Sequence, residues 1–253
     1  MRLRVRHPIT VVAFSWLAVI GAIAASQADK IVPVHQEPRH RLVFESPGTR
    51  ILDVQVPPGD TTLFHTHNDP ILYVTMSTAQ TRSQTLGREW TVGDAAQRTE
   101  PAVTRDAIPR VAPVRPGRMM STTSYATQPL THRVNNVGST LFRLIGIING
   151  SAGDESMTPS AGFDQPPELA NRWFRGYRST LTTAANEHRH PNPVVIVHIS
   201  GGPVITGATR VELDKPGAFA WIEAHTPHDL RAVAESAEVV EVEVRRPPIP
   251  LRD

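Results

Sequence analysis

Short runs of apolar residues, either continuous or alternating with polar residues, recur along most of the chain and predict β-strands. Gly, Pro, Asn or Asp bounds each run, as is typical of strands that end in turns. The runs lie at 42–44, 51–56, 71–76 and 141–148 in the first half of the chain, and at 173–181, 194–199, 218–222 and 239–244 in the second. Because many short strands with frequent turns build sandwiches and barrels, the pattern predicts an all-β fold.

Two further segments shape the predicted organisation of the chain. Segment 238–244 alternates glutamate with valine, which predicts a strand with one buried face and one face in water. The stretch between the two halves is rich in Gly, Ser, Asp and Pro and shows no periodicity, so it is predicted to be a linker. The predicted organisation is a polar arm over 29–39, one domain over 40–149, a linker over 150–168 and a second domain over 169–253.

The N-terminus has the pattern of an export signal. Three arginines among the first six residues precede an uncharged apolar run over 9–24, and small residues that suit cleavage lie near its end. The run is shorter than the roughly 20 residues that a spanning helix needs, which favours cleavage over an uncleaved membrane anchor. We therefore expect a signal peptide over 1–28 and a mature protein that is periplasmic or secreted and is not held in a membrane.

Composition excludes several classes of site. The chain has no cysteine, which rules out a disulfide scaffold, a cysteine nucleophile, a thiolate zinc site and an iron–sulfur cluster. Of the 26 basic residues only Lys30 and Lys215 are lysines, and the 24 acidic residues nearly balance the total. No basic run with interleaved aromatic residues is present, so nucleic acid is not an expected partner.

An internal repeat carries the candidate chemistry. A His-x-His-x-Asx-Pro motif followed by aliphatic residues occurs once in each half, and another histidine follows downstream each time. Residues two apart on a strand face the same side, so each pair and its third imidazole can surround a divalent metal ion. The alternative is that the pairs occur by chance. The candidate metal ligands are His65, His67 and His132 in the first half, and His188, His190 and His228 in the second. The wider spacing in the first half predicts an inserted loop over 94–118.

These motifs resemble those of the cupin superfamily over about 40–148 and 172–246. The matching positions are Gly59 before His65, Asn136 after His132, and Gly201 and Gly217 in the second half. The resemblance implies two jelly-roll β-barrels in tandem, a bicupin, with metal bound by the histidines. By analogy with cupin chains, whose edge strands often pair, it also implies a homodimer.

The sequence departs from the cupin pattern at the acidic ligand. Aliphatic residues occupy the position of the family's glutamate, namely Ile71 or Leu72 in the first half and Val194 or Val195 in the second. This leaves a site of three histidines or a site without metal. Three neutral imidazoles leave the two positive charges of a divalent ion uncompensated, which favours an anionic small-molecule ligand. One or two ions are expected, with Fe favoured and Mn, Ni, Cu or Zn as alternatives.

Other polar residues are secondary candidates. Tyr73 shares strand parity with the first histidine pair, while Glu223 and His225 lie on a turn near His228 and could act as acid or base. His40 is expected in the polar arm, and His198 in a strand core. The predicted function is a metal-dependent enzyme with oxygenase-like or Lewis-acid chemistry on a small acidic or enolisable substrate. The alternatives are a non-enzymatic periplasmic binding or sensing module with structural or no metal, and a structural protein.

Overall fold

The structure is a computed structural model that describes residues 30–77, 79–92, 115–156, 160, 165–207, 211–234 and 236–247. The predicted signal peptide over 1–28 and most of the predicted 94–118 loop lie outside these residues. The described residues are almost entirely strands and turns, with two short 3-10 helices at Val34–Gln36 and Ser124–Ala126. The prediction of an all-β fold is confirmed. Within the described part, no helix has the length and apolar character needed to cross a membrane.

The first half contains two five-stranded sheets. Its strands are β1 (Ile31–Pro33), β2 (His40–Ser46), β3 (Thr49–Val56), β4 (Phe64–His67), β5 (Ile71–Ser77), β6 (Thr81–Thr85), β7 (Trp90–Val92), β8 (Met119–Thr122), β9 (Leu130–Asn136) and β10 (Phe142–Asn149). The strand orders are β1-β4-β9-β6-β7 and β2-β3-β10-β5-β8. β1 lies within the predicted polar arm, where it pairs in parallel with β4 and extends the first sheet.

The second half repeats this plan with a five-stranded and a four-stranded sheet. Its strands are β11 (Leu169–Ala170), β12 (Phe174–Leu181), β13 (Asn186–His188), β14 (Val194–Gly201), β15 (Val204–Thr206), β16 (Val211–Leu213), β17 (Phe219–Ile222), β18 (His228–Ala232) and β19 (Ala237–Val244). The strand orders are β11-β12-β19-β14-β17 and β13-β18-β15-β16. In both halves the strands that carry the candidate metal ligands belong to one sheet, namely β4 and β9 in the first half and β13 and β18 in the second, with His190 directly after β13.

Three apolar cores hold the molecule together. One core lies inside each half. A third core lies between the halves, where the sheet β2-β3-β10-β5-β8 packs against the sheet β11-β12-β19-β14-β17. Ile51, Leu72 and Ile145 contribute to the third core from the first half, and Val195 and Val242 from the second. Successive residues of a central strand face opposite sides, so one set packs in the core of its own half and the other in the core between the halves. The central strands are therefore buried on both faces. This explains why their sequences are nearly continuous apolar runs.

The expectation of a water-facing side for strand 238–244 is wrong. Glu241 and Glu243 are both fully buried. Their valine neighbours Val240 and Val242 pack in the core between the halves, so the glutamates point into the interior of the second half. The alternation was real, but the polar face meets a cluster of histidines instead of solvent.

Candidate metal centres

The first group of histidines lies where β4 and β9 pair. His65 and His67 project from β4 toward the same interior side, and His132 lies directly opposite His65 on β9. The Nε2 atoms of His67 and His132 are 3.0 Å apart, and the three ring centroids are separated by 4.6, 5.0 and 5.1 Å. All three side chains are buried, and their ligand atoms lie within 4.8 Å of one another.

Hydrogen bonds orient these rings for coordination. His65 Nδ1 donates to the carbonyl of Leu63 at 3.0 Å, which leaves the lone pair of a neutral ring on Nε2. That Nε2 atom is buried and has no hydrogen-bond partner among the described residues. Ser83 Oγ lies 3.1 Å from His132 Nδ1 and holds the second ring from behind. A buried, unpartnered nitrogen facing two other imidazoles fits a metal ion, because such an atom otherwise costs about 1–3 kcal/mol.

Burial keeps the imidazoles of the first group uncharged. It lowers the pKa of His65 to about 4, and burial together with the nearby His65 lowers the pKa of His132 to about 3. The pKa of His67 also lies well below its usual value, through burial and then through its histidine neighbours. Near neutral pH the three imidazoles are therefore uncharged and have lone pairs available as ligands.

A small cavity of about 40 Å³ adjoins the first group. Apolar side chains form most of its wall, including Val54, Phe142 and Leu144. Tyr73 lines the same cavity, and Tyr125 stacks on His67 with ring centroids 4.8 Å apart. No carboxylate belongs to this donor group within the described residues.

His40 also lines this cavity, which the sequence analysis did not anticipate. It was expected in a polar arm, but it begins β2 and is buried with its ring edge-on to His65, at a centroid distance of 4.4 Å. Its ring is hydrogen-bonded to the Val34 carbonyl, while its Nδ1 atom has no partner among the described residues. Burial, followed by His65 and His132, holds the pKa of His40 well below its usual value. No local motif marks this residue, because its position depends on pairing between distant strands.

The second group combines three histidines with a carboxylate. His188 on β13 lies opposite His228 on β18, and His190 follows two residues after His188. Glu241 reaches them from β19, and its Oε2 atom is 2.9 Å from His188 Nε2, 3.3 Å from His190 Nε2 and 3.6 Å from His228 Nε2. His228 Nε2 and Glu241 Oε1 are buried without a hydrogen-bond partner among the described residues. Four donors around one point, two of them with unpartnered atoms, also fit a metal ion.

A carboxylate therefore joins the second donor group, where the sequence predicts three histidines or no metal. The cupin motif places its glutamate shortly after the His-x-His pair, whereas Glu241 comes from the last strand. The available signal was the pair of glutamates within an otherwise apolar strand. Alternation alone does not distinguish a polar face that meets solvent from one that meets a buried cluster of histidines.

A second carboxylate supports His190 from the other side. His190 Nδ1 donates to Glu243 Oε1 at 2.8 Å, and the hydroxyls of Ser160 and Tyr177 lie 2.5 and 3.3 Å from the same oxygen. Burial lowers the pKa of His190, but hydrogen bonds with Glu241 and Glu243 outweigh burial and raise it to about 9. Burial raises the pKa of Glu241, but hydrogen bonds from the histidines outweigh it and lower that pKa well below its usual range.

Comparisons with known proteins identify the fold. No protein-family model matches the sequence, and no curated protein is significantly similar to it. The bacterial pirin YhhW from Escherichia coli, solved with nickel(II), is 16% identical with a TM-score of 0.51, over 82% of this chain and 91% of that one. A cupin 2 conserved barrel domain protein from Leptotrichia buccalis is 10% identical with a TM-score of 0.46, over 81% and 87%. The predicted cupin-like fold is confirmed. A salicylate 1,2-dioxygenase from Pseudaminobacter salicylatoxidans is also similar, at 10% identity and a TM-score of 0.49, over 79% and 71%.

At these identities the similarity establishes the cupin fold alone, and the two-domain interpretation stays a prediction. The remaining site candidates lie outside both donor groups. Glu223 and His225 are exposed on the turn between β17 and β18, where Glu223 accepts a 2.7 Å hydrogen bond from Trp221 Nε1. His225 donates its backbone N–H to the His190 carbonyl at 2.8 Å. His198 is buried in β14, as expected, and its Nε2 donates to the Ser200 carbonyl at 3.1 Å.

Proposed function

We propose that the chain is a metal-dependent enzyme whose catalytic site is the first histidine group, and that the second group holds a structural metal ion. The observation that carries this proposal is the difference in donors. His65, His67 and His132 adjoin an apolar cavity without a carboxylate among the described residues. The second group includes Glu241 and has Glu243 behind it.

The first group suits a reactive site because three protein donors leave coordination positions for other ligands. A divalent ion held there would act as a Lewis acid, and iron would also allow oxygen chemistry. The imidazoles of His65 and His132 are neutral, so no protein charge in the group offsets the ion. Because the apolar wall excludes water and strengthens electrostatic attraction, we infer a small acidic or enolisable substrate.

The second group suits a structural site because it offers four donors, as closed metal sites do. Glu241 supplies one negative charge to the group, and Glu243 lies behind His190 with a second. Glu243 also pairs with the buried Arg175, so the charge that distinguishes the second group from the first is that of Glu241, and it weakens the attraction for an anionic ligand. Glu243 also fixes the His190 ring through Nδ1, so that Nε2 faces the other donors.

One observation favours a second candidate function, a non-enzymatic module that binds a small ligand. The turn residues Glu223 and His225, which were candidates for acid–base work, are both exposed and lie outside the donor groups. A module would bind the same anionic ligands in the first cavity but would not convert them. In either case we propose that the mature protein is exported and acquires its metal outside the cytoplasm. N-terminal sequencing of the mature protein would test export.

The test combines elemental analysis with calorimetry on the full chain. We expect two metal equivalents. We also expect small carboxylic acids to bind about tenfold more tightly than their amides, because the amide has nearly the same size but lacks the negative charge. His67→Ala should abolish this preference, whereas the matched variant His190→Ala should keep it. Equal binding of acids and amides contradicts the proposed substrate class. Tight binding of acids without turnover in the presence of oxygen favours the binding module.

A further inference from the structure

The buried imidazole of His40 has no role in the donor group, yet it shares the group's cavity. It reaches the site from β2, a strand of the opposite sheet, and its ring meets His65 edge-on at 4.4 Å. Its ligand atoms lie outside the set of three mutually close donors. His40 is therefore placed to contact a molecule bound beside the metal ligands.

The hydrogen bonds of His40 define which chemistry it offers. A carbonyl oxygen can only accept, so the ring nitrogen that is bonded to the Val34 carbonyl must carry the hydrogen. Nδ1 has no partner among the described residues, so the bonded nitrogen is Nε2 and Nδ1 carries the lone pair. A buried acceptor without a donor is unfavourable. Because the other cavity walls are mainly apolar, the donor that satisfies it is best supplied by the ligand.

We propose that His40 is a positioning residue whose Nδ1 accepts a hydrogen bond from the substrate. The substrate would therefore carry an O–H or N–H group adjacent to the anionic oxygen that binds at the donor group. This rests on the proposed function of His65, His67 and His132, and it adds a second recognition point on the opposite sheet. A ligand that carries only the anionic oxygen contacts the donor group alone, and a ligand that carries both groups also donates a hydrogen bond to His40.

The test uses glycolate and methoxyacetate, which have the same charge, but methoxyacetate has a methyl group in place of the hydroxyl hydrogen. Calorimetry on the zinc-loaded full chain should show glycolate bound more tightly. In His40→Phe, which keeps the ring volume but removes the acceptor, this preference should fall by about tenfold while metal content is unchanged. His198→Phe is the matched control, since it removes a buried histidine outside both donor groups. It should leave the preference intact.

A second measurement keeps the inference testable if His40→Phe does not fold. In the wild-type chain with labelled histidines, the 15N signal of His40 Nδ1 should move on addition of glycolate and stay in place with methoxyacetate. The role of His40 is overturned if folded His40→Phe keeps the preference for glycolate over methoxyacetate, or if the 15N signal of His40 Nδ1 does not move on addition of glycolate. Absence of metal at the first group, or no binding of either acid, overturns the proposed function instead.

Discussion

The two histidine groups share one motif and one strand arrangement but differ in their carboxylates, and strand register shows where the difference arises. Counting from Pro70 and Pro193, which end the two motifs, Tyr73 corresponds to Ile196. Ile196 pairs with Glu241 on β19, whereas Tyr73 pairs with Gly146 on β10. The position that supplies a ligand in the second half therefore has no side chain in the first.

The same register explains the second carboxylate. Val194 pairs with Glu243, and its counterpart Ile71 pairs with Ile148. A Cβ atom at Gly146 would lie 3.5 Å from Cε1 of Tyr73, so the tyrosine ring packs over the backbone that the missing side chain leaves free. Replacement of two glutamates by glycine and isoleucine thus separates a neutral, apolar site from an anionic one on the same scaffold.

The largest expected consequence is in the stability of the metal-free protein. His190→Ala removes the partner that Glu241 and Glu243 share, although His188 still contacts Glu241 and Arg175 still pairs with Glu243. Breaking a buried ion pair costs about 3–5 kcal/mol, and these remaining partners place the expected loss at the lower end, about 3 kcal/mol. His67→Ala removes a neutral ring that stacks on Tyr125 and should cost about 1–3 kcal/mol. Denaturant unfolding at pH 7 in the presence of a chelator measures both values. Equal losses would show that the second group is not held by charge.

The next consequence concerns how pH affects metal binding. In the metal-free chain His190 has its pKa raised to about 9, so below that pH a metal ion must displace a proton from it. Zinc affinity at the second group should therefore rise about tenfold per pH unit between pH 6 and 8 and level off above pH 9. The pKa values of His65 and His132, about 4 and 3, leave no proton to displace at the first group.

Competition with a chelator of known proton affinity, applied to His67→Ala and His190→Ala separately, isolates each site for this measurement. The affinity of the first group should be flat over the same pH range. A parallel slope at both groups would contradict the contrast in protonation.

The smallest expected effect is a change in ligand preference when the carboxylate of the second group is copied into the first. Gly146→Glu combined with Tyr73→Ile copies the second half's register pair into the first. The new carboxylate should reduce the preference of the first site for acids over amides by about tenfold, because it supplies the charge that an acid otherwise provides. Tyr73→Ile alone is the control and should keep the preference. If both variants lose it equally, Tyr73 and not the charge balance governs ligand choice.

The all-β character was readable from the sequence because turn residues bound each apolar run. The spacing of the two histidine pairs indicated which imidazoles would share a face, and the structure brings each pair together with its downstream histidine. His40 and Glu241 were not readable in this way. Parity along a strand gives two faces but does not say which one meets water, and here the packing of the two halves buries the valine face of β19.

The local sequence also does not show which strands will be neighbours within a sheet. Glu241 reaches His188 only because β19 crosses the molecule between β12 and β14, and His40 reaches His65 only because β2 belongs to the facing sheet. Loop length and long-range pairing decide both contacts.

The apolar core between the two halves affects which substitutions the molecule can accept. Its residues, such as Leu72 and Val242, stand on the sides of their strands that face away from the imidazoles. Substitutions in one donor group therefore leave this core intact. Each half can lose, gain or change its metal ligands while packing against the other half keeps it folded. Two halves built on one strand plan can in this way diversify one at a time.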